Sequence, residues 1–267
     1  MPPLFDRRDL LRLAGASLIA AACGAGRGSG GVPAADPEAG KRFRPGRLLS
    51  RPRVPDGGSA DTGLVPLRLS GSDRDGVVYV PATYRPQSPA PLIVTLHGAT
   101  GSGRRGLRRL QPLADAAGLI LLAPDSRGVT WDVAMTGAFG PDAEFVDRAL
   151  DFVFSRYSVD PTHLAAEGFS DGASYALSLG LLNGDLFTHV IALSPGFVAQ
   201  GPRRGKPRVF VSHGVHDQVL PIDRCGRRIV RDLRGDDYDV RYTEFDGGHA
   251  VPTGIAAAAL EWLAGRG

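Results

Sequence analysis

Cysteine and long apolar runs are both scarce in this chain. The 267 residues include two cysteines, Cys23 and Cys225, and neither a C-x-x-C pair nor a Cys/His spacing of a metal site occurs. Cys23 lies in a low-complexity N-terminal stretch, so we predict a fold that does not depend on a disulfide. The apolar run from 13 to 22 is ten residues long. A helix that spans a bilayer needs about 20.

Basic residues are in excess only near the N-terminus. Residues 1–58 contain 10 Lys/Arg and 5 Asp/Glu; of the 31 and 28 in the whole chain, 21 and 23 remain, a net charge of −2 for the rest. A nucleic-acid partner would need a basic patch on the folded surface. The densest candidate contains Arg104, Arg105, Arg108 and Arg109, and we interpret it as the solvated face of a helix. We therefore predict no nucleic-acid partner.

Residues 1–23 have the features of an export signal. Arg7 and Arg8 precede an apolar pair and Arg12, which resembles the bacterial twin-arginine pattern, and the ten-residue apolar run follows. The run ends Ile-Ala-Ala-Ala before Cys23, which resembles a lipobox. We expect an exported protein, either a cell-envelope lipoprotein tethered through lipidated Cys23 or a secreted protein whose signal is cleaved after Ala-x-Ala.

Residues 24–58 contain almost no large apolar side chains and are rich in Gly, Pro, Ala, Ser and Arg. Such a stretch cannot bury enough surface to offset the entropy lost on ordering, so we predict a flexible tether. The folded domain is predicted to comprise residues 59–267. At 43% hydrophobic residues, the chain can build one sizeable core.

The pattern from residue 64 onward predicts an α/β fold. Two alternating segments at 64–69 and 77–81 indicate an antiparallel hairpin. Continuous apolar runs, typical of parallel strands covered on both faces, then alternate with helical stretches. The strands are predicted at 92–96, 119–123, 163–167, 190–193, 209–212 and 240–245, and the helices at 106–117, 142–157, 172–182, 221–233 and 253–264. No insertion is long enough for a large lid domain.

The segment Gly168-Phe169-Ser170-Asp171-Gly172 matches the pattern G-x-S-x-G. It directly follows a predicted strand and opens an almost wholly apolar helix, which is the setting of a nucleophile elbow. The sharp turn brings backbone segments close together, and glycine avoids a Cβ clash there. Ser170 is therefore the predicted nucleophile, although a helix-capping serine in a tight turn would give the same letters.

Several segments together resemble the α/β-hydrolase superfamily. They are Leu96-His97-Gly98, Tyr157-Ser158-Val159-Asp160-Pro161, the elbow with Ala173, His216-Asp217 and Gly248-His249. Within the superfamily the chain is similar to small carboxylesterases/phospholipases and to polyhydroxybutyrate-depolymerase-like or feruloyl-esterase-like enzymes. Those depolymerase-like enzymes usually have Ser-Ala-Gly or Ser-Gly-Gly at the nucleophile, where this chain has Ser-Asp-Gly.

The resemblance implies a catalytic triad in the order nucleophile, acid, histidine. His249, in a glycine-rich loop after the last strand, is then the base. Asp217, just past the end of the strand before it, is the acid that orients the imidazole. Asp223 and Asp246 are the rival acids. His213 and His216 are expected to shape the loop that carries Asp217.

Acyl transfer also needs donors for the oxyanion, and we predict the backbone N–H groups of Asp171 and Ala99. Trp131 and Phe197, on loops after strands, are candidates for an apolar substrate pocket, with ordinary packing as the alternative. The scheme requires no metal or cofactor, and the substrate is a small-molecule or polymeric ester. A serine peptidase and a non-enzymatic binding protein on the same scaffold are the competing functions.

Overall fold

A computed structural model describes residues 45–57, 59–72 and 74–265. The predicted export signal and Cys23 therefore lie outside the described residues, as does the predicted tether up to residue 44. Within the described part, no helix combines the length and apolarity needed to cross a membrane.

Eight strands form a single sheet with the spatial order β1-β2-β4-β3-β5-β6-β7-β8. β1 and β2 pair antiparallel, β2 pairs antiparallel with β4, and all other neighbours pair in parallel. The predicted hairpin and the predicted, mostly parallel sheet are thus confirmed. The strands are β1 Gly63–Pro66, β2 Gly76–Val80, β3 Ala90–Leu96, β4 Ile120–Pro124, β5 Val159–Phe169, β6 His189–Leu193, β7 Arg208–Gly214 and β8 Val240–Phe245.

The described residues include seven helices, of which six lie between strands and the seventh follows β8. They are α1 Gly103–Leu107, α2 Gln111–Ala117, α3 Asp132–Thr136, α4 Pro141–Phe154, α5 Asp171–Leu182, α6 Gly226–Gly235 and α7 Thr253–Leu263. The helix predicted over 106–117 is instead two short helices, α1 and α2. Pro112 lies in the first turn of α2, and a proline ring and missing N–H are tolerated there but not inside a continuous helix.

The helices cover both faces of the sheet, as continuous apolar strands require. Leu92 and Val94 of β3 pack on the face that α4 and α5 cover, whereas Ile93 between them faces α1, α2 and α7. This alternation is the period of two expected of a strand. Because both faces are buried, the carboxyl ends of the parallel strands are where side chains can reach a ligand.

The last part of the predicted tether differs from the expectation. Residues 45–57 are described, and Leu48 among them is fully buried in the core cluster that contains α4. Its backbone N–H donates to Oδ1 of Asn183 (2.9 Å), and Nη1 of Arg47 donates to Asp185 (2.6 Å). One buried leucine and these bonds hold the segment on the domain, which composition alone does not show.

Candidate active site

The nucleophile elbow lies between β5 and α5. Ser170 joins them with φ 59° and ψ −121°, a strained backbone conformation for a residue other than glycine. A Cβ on Gly168 would lie 2.2 Å from the carbonyl oxygen of Gly172, and a Cβ on Gly172 would lie 2.1 Å from that of Leu96. The glycines of the G-x-S-x-G segment are therefore required by close backbone contacts, as predicted.

His249 contacts the hydroxyl of Ser170. It lies in the loop between β8 and α7, and its Nε2 is 2.8 Å from Oγ of Ser170. The ring of Phe169 packs beside the imidazole, with centroids 4.8 Å apart. Both Ser170 and His249 are half-buried, so a ligand can reach them from solvent.

Asp217 contacts the other nitrogen of the imidazole. Its Oδ2 is 2.7 Å from Nδ1 of His249, while its Oδ1 accepts the backbone N–H groups of Val219 (2.9 Å) and Leu220 (2.8 Å). Burial raises the pKa of Asp217, but these N–H donors and His249 outweigh burial and hold that pKa below its ordinary value. A carboxylate here accepts from Nδ1–H, which leaves the lone pair of Nε2 facing Ser170.

The two rival acids lie away from this imidazole. Asp223 pairs with Arg227 on the surface (2.8 Å). Asp246 faces His216 (3.0 Å) with a side chain that is 93% exposed. The structure thus brings together the three residues that the resemblance implies and leaves the rivals in surface pairs.

A second histidine, His213, also lies against Asp217. The sequence did not predict this contact. Nε2 of His213 is 2.7 Å from the carbonyl oxygen of Leu220 and 3.3 Å from Oδ2 of Asp217. Burial is the main cause that lowers the pKa of His213. The carbonyl oxygen of Leu220 can only accept a hydrogen bond, so its contact with Nε2 requires the proton on that nitrogen. His213 thus helps to shape the loop after β7 that carries Asp217, as predicted. The two residues are four positions apart, and this spacing indicates a contact only when the loop is known to fold back on the end of β7.

The two predicted oxyanion donors come from different segments of the chain. Asp171 begins α5, and Ala99 is exposed in the loop after β3. The N–H of Thr100 donates to the carbonyl of Val129 (2.8 Å), whereas no acceptor for the N–H of Ala99 or Asp171 is present among the described residues. Both N–H groups are therefore available to a ligand.

Two proteins with similar sequences are named as esterases. No family model matches the chain. It is 28% identical over 159 residues (57% of the chain) to the "Bifunctional acetylxylan esterase/xylanase XynS20E" of Neocallimastix patriciarum. It is 31% identical over 144 residues (50%) to the "Putative esterase NocK" of Nocardia uniformis subsp. tsuyamanensis. These matches cover 23% and 42% of the two relatives, so the chain spans less than half the length of either.

Among solved structures, the crystal structure of esterase PE8 superposes with a TM-score of 0.58 at 21% identity, covering 76% of this chain and 99% of that one. The chain has the α/β-hydrolase fold. The fold predicted from the sequence is thus confirmed, and so is the resemblance to esterases of this type.

The structure contradicts the predicted pocket role of Trp131. Trp131 is fully buried, with its ring stacked on that of Tyr175 (centroids 4.8 Å apart) and its Nε1–H donating to the carbonyl of His97 (2.7 Å). Burial of a large aromatic ring stabilises the fold when its single N–H donor has an acceptor, as it has here. Through its bond to His97, Trp131 supports the start of the loop after β3. Because the ring has no exposed surface, it cannot contact a ligand. Phe197 is half-buried beside the same core, and its pocket role stays a prediction.

Proposed function

We propose that this chain is a serine esterase that hydrolyses carboxylic ester bonds through Ser170, His249 and Asp217. The observation that carries the proposal is the continuous line of hydrogen bonds from Oγ of Ser170 through both imidazole nitrogens to Oδ2 of Asp217, at 2.8 and 2.7 Å. A serine hydroxyl is a poor nucleophile unless a base takes its proton, and this geometry provides one. The similarity to two relatives named as esterases supports the same chemistry.

Acylation is the first half of the proposed reaction. Nε2 of His249 takes the proton of Ser170 as Oγ attacks the ester carbonyl carbon. The negative charge that develops on the carbonyl oxygen accepts hydrogen bonds from the N–H groups of Ala99 and Asp171. The tetrahedral intermediate collapses when the ester C–O bond breaks, and the imidazolium gives its proton to the departing alcohol. An acyl-enzyme on Ser170 remains.

Deacylation repeats these steps with water. His249 takes a proton from a water molecule that attacks the acyl carbon, and then returns a proton to Oγ of Ser170 as the acid leaves. Asp217 stays ionised throughout and stabilises the imidazolium in both halves. Its backbone donors Val219 and Leu220 keep the carboxylate in place. Apart from the ester and water, every group that the scheme uses comes from the chain itself, so the scheme calls for no cofactor.

A substrate panel tests the proposed activity. We expect 4-nitrophenyl acetate and at least one of methyl ferulate and a hydroxybutyrate oligomer to be hydrolysed by the wild type. We expect a peptide 4-nitroanilide, the substrate of the competing peptidase function, to remain intact. The Ser170→Ala variant is the control for background hydrolysis. If the anilide were cleaved and the esters were not, the chain would be a peptidase.

We also propose that the protein is exported and held at the cell envelope by lipid on Cys23. The order of paired arginines, short apolar run, small residues and cysteine at residues 7–23 supports this proposal, and these residues lie outside the described part of the structure. A single acyl chain gives only marginal anchoring, so stable attachment needs more than one. A small-molecule or polymeric ester outside the cytoplasm would then be the substrate.

Cell fractionation tests this location. The wild type is expected in the membrane fraction, whereas Cys23→Ala should be soluble outside the cytoplasm. Cys225→Ala, which removes a buried free thiol, is the matched control and should fractionate like the wild type. If wild type and Cys23→Ala were both soluble and exported, Cys23 would carry no lipid; if both stayed in the cytoplasm, the proposed export would be wrong.

A further inference from the structure

A cavity of about 360 Å³ opens beside the loop after β3 that contains Ala99. Its wall includes Ala99, whose N–H is a proposed oxyanion donor, and Phe169, whose ring packs on His249. A Cβ built on Gly98, another lining residue, would lie 3.4 Å from Cβ of Ser170. Two lining residues thus lie against Ser170 and His249, which places the cavity next to the proposed catalytic residues.

Four of the residues that line this cavity are small: Gly98, Ala99, Gly101 and Gly106. The lining also includes two longer, charged side chains, one on α1 and one in the residues that follow it.

Those longer side chains are Arg105 and Arg109, and no acidic residue lines the cavity among the described residues. The charge of Arg109 is compensated, because its Nη2 pairs with Oε1 of Glu167 (2.6 Å), a carboxylate that is only 1% exposed. Arg105 is exposed and makes no ion pair within the described part of the chain. The cavity thus carries one uncompensated positive charge, from Arg105.

The charge of Arg105 belongs to a domain that is not basic overall, because the chain beyond residue 58 has a net charge of −2. The side chain of Arg105 is exposed, so a carboxylate that enters the cavity can reach its guanidinium and form a charge-assisted hydrogen bond.

We propose that Arg105 makes this cavity a subsite for a carboxylate carried by the ester substrate. The inference rests on the proposed esterase function and names its substrate class: esters whose acyl or alcohol part bears a second, anionic group. Arg105 is then a specificity-determining residue that binds substrate without taking part in proton transfer.

Two matched pairs of esters test the proposal and separate the two sources of the carboxylate. On the alcohol side, 4-acetoxybenzoate is compared with its neutral methyl ester; on the acyl side, 4-nitrophenyl hydrogen glutarate is compared with 4-nitrophenyl butyrate. We expect the wild type to prefer the anionic member of one pair. Arg105→Gln should lower kcat/KM for that member about tenfold and leave its neutral partner unchanged, as expected for loss of one charge-assisted hydrogen bond.

Arg108→Gln is the control variant, because Arg108 is exposed at the end of α1 and does not line the cavity. It removes the same charge from nearly the same place and should leave both members of each pair unchanged, and Arg105→Lys should retain part of the preference. An equal loss in Arg105→Gln and Arg108→Gln would assign the effect to general steering, and an absent preference for either anionic ester would overturn the subsite.

A binding measurement separates failure of the subsite from failure of the esterase proposal. Calorimetric titration of 4-acetoxybenzoate and its methyl ester into Ser170→Ala needs no turnover. Tighter binding of the anion that is lost on adding Arg105→Gln supports the subsite even if no ester is hydrolysed. Equal binding of these two ligands excludes a subsite for the alcohol part. If 4-nitrophenyl hydrogen glutarate and 4-nitrophenyl butyrate also bind Ser170→Ala equally, the subsite is contradicted, even if the wild type is an active esterase.

Discussion

Ser170→Ala is expected to lower kcat for ester hydrolysis by about a millionfold, since removal of a triad nucleophile elsewhere has that effect. The change deletes the only atom that would attack the carbonyl carbon. The backbone of the elbow is held by other contacts, including donation from the N–H of Ser170 to the carbonyl of Leu193 (3.0 Å). The fold should therefore persist.

Steady-state kinetics on 4-nitrophenyl acetate, with thermal unfolding of both proteins, measures this effect. A loss of rate with an unchanged midpoint of unfolding assigns Ser170 to the chemistry. Ser194→Ala is a matched control, because Ser194 is also a serine with positive φ at the end of a strand, but it is fully buried. Substantial activity in Ser170→Ala would show that another group is the nucleophile.

Asp217→Asn is expected to lower kcat by about 10⁴-fold. The carboxylate accepts from Nδ1–H of His249, and an amide that presents its NH₂ group to Nδ1 would favour the opposite tautomer. Nε2 would then carry the proton and could not take one from Ser170. Asparagine keeps an oxygen for the N–H groups of Val219 and Leu220, so the loop should keep its shape.

The same substitution at the rival acids provides the comparison. Asp223→Asn and Asp246→Asn remove carboxylates that face Arg227 and His216 on the surface, and each should retain most of the wild-type rate. All three variants change one carboxylate to an amide, so differences among them report position alone. If Asp246→Asn were the crippling change, the proposed acid would be wrong.

The parts of the site that could be predicted from the sequence are those that depend on short, local geometry. The elbow follows from a strand, a serine between two glycines and an apolar helix, because the close backbone contacts of that turn tolerate no Cβ. The order of strands and helices likewise predicts a parallel sheet, which places the loops bearing Asp217 and His249 at one edge.

The parts that could not be predicted depend on how distant segments pack. Trp131 follows a strand, like a residue of a ligand pocket, but its loop turns inward and buries the ring on Tyr175. Residues 45–57 have the composition of a tether, yet Leu48 inserts into the core. Arg109 lies in a run of surface-type arginines, and the buried Glu167 that it pairs with is 58 positions away in the sequence.

Labelling with a fluorophosphonate probe shows whether Ser170 is an activated nucleophile. The phosphorus atom reacts preferentially with a serine whose hydroxyl is activated by a base, and the covalent product is stable enough for mass spectrometry of the intact protein and of its peptides. We expect one label per chain, on the peptide containing Ser170, with none on Ser170→Ala and slow labelling of Asp217→Asn. A wild type that stays unlabelled, or a label that persists in Ser170→Ala, would show that Ser170 is not the nucleophile.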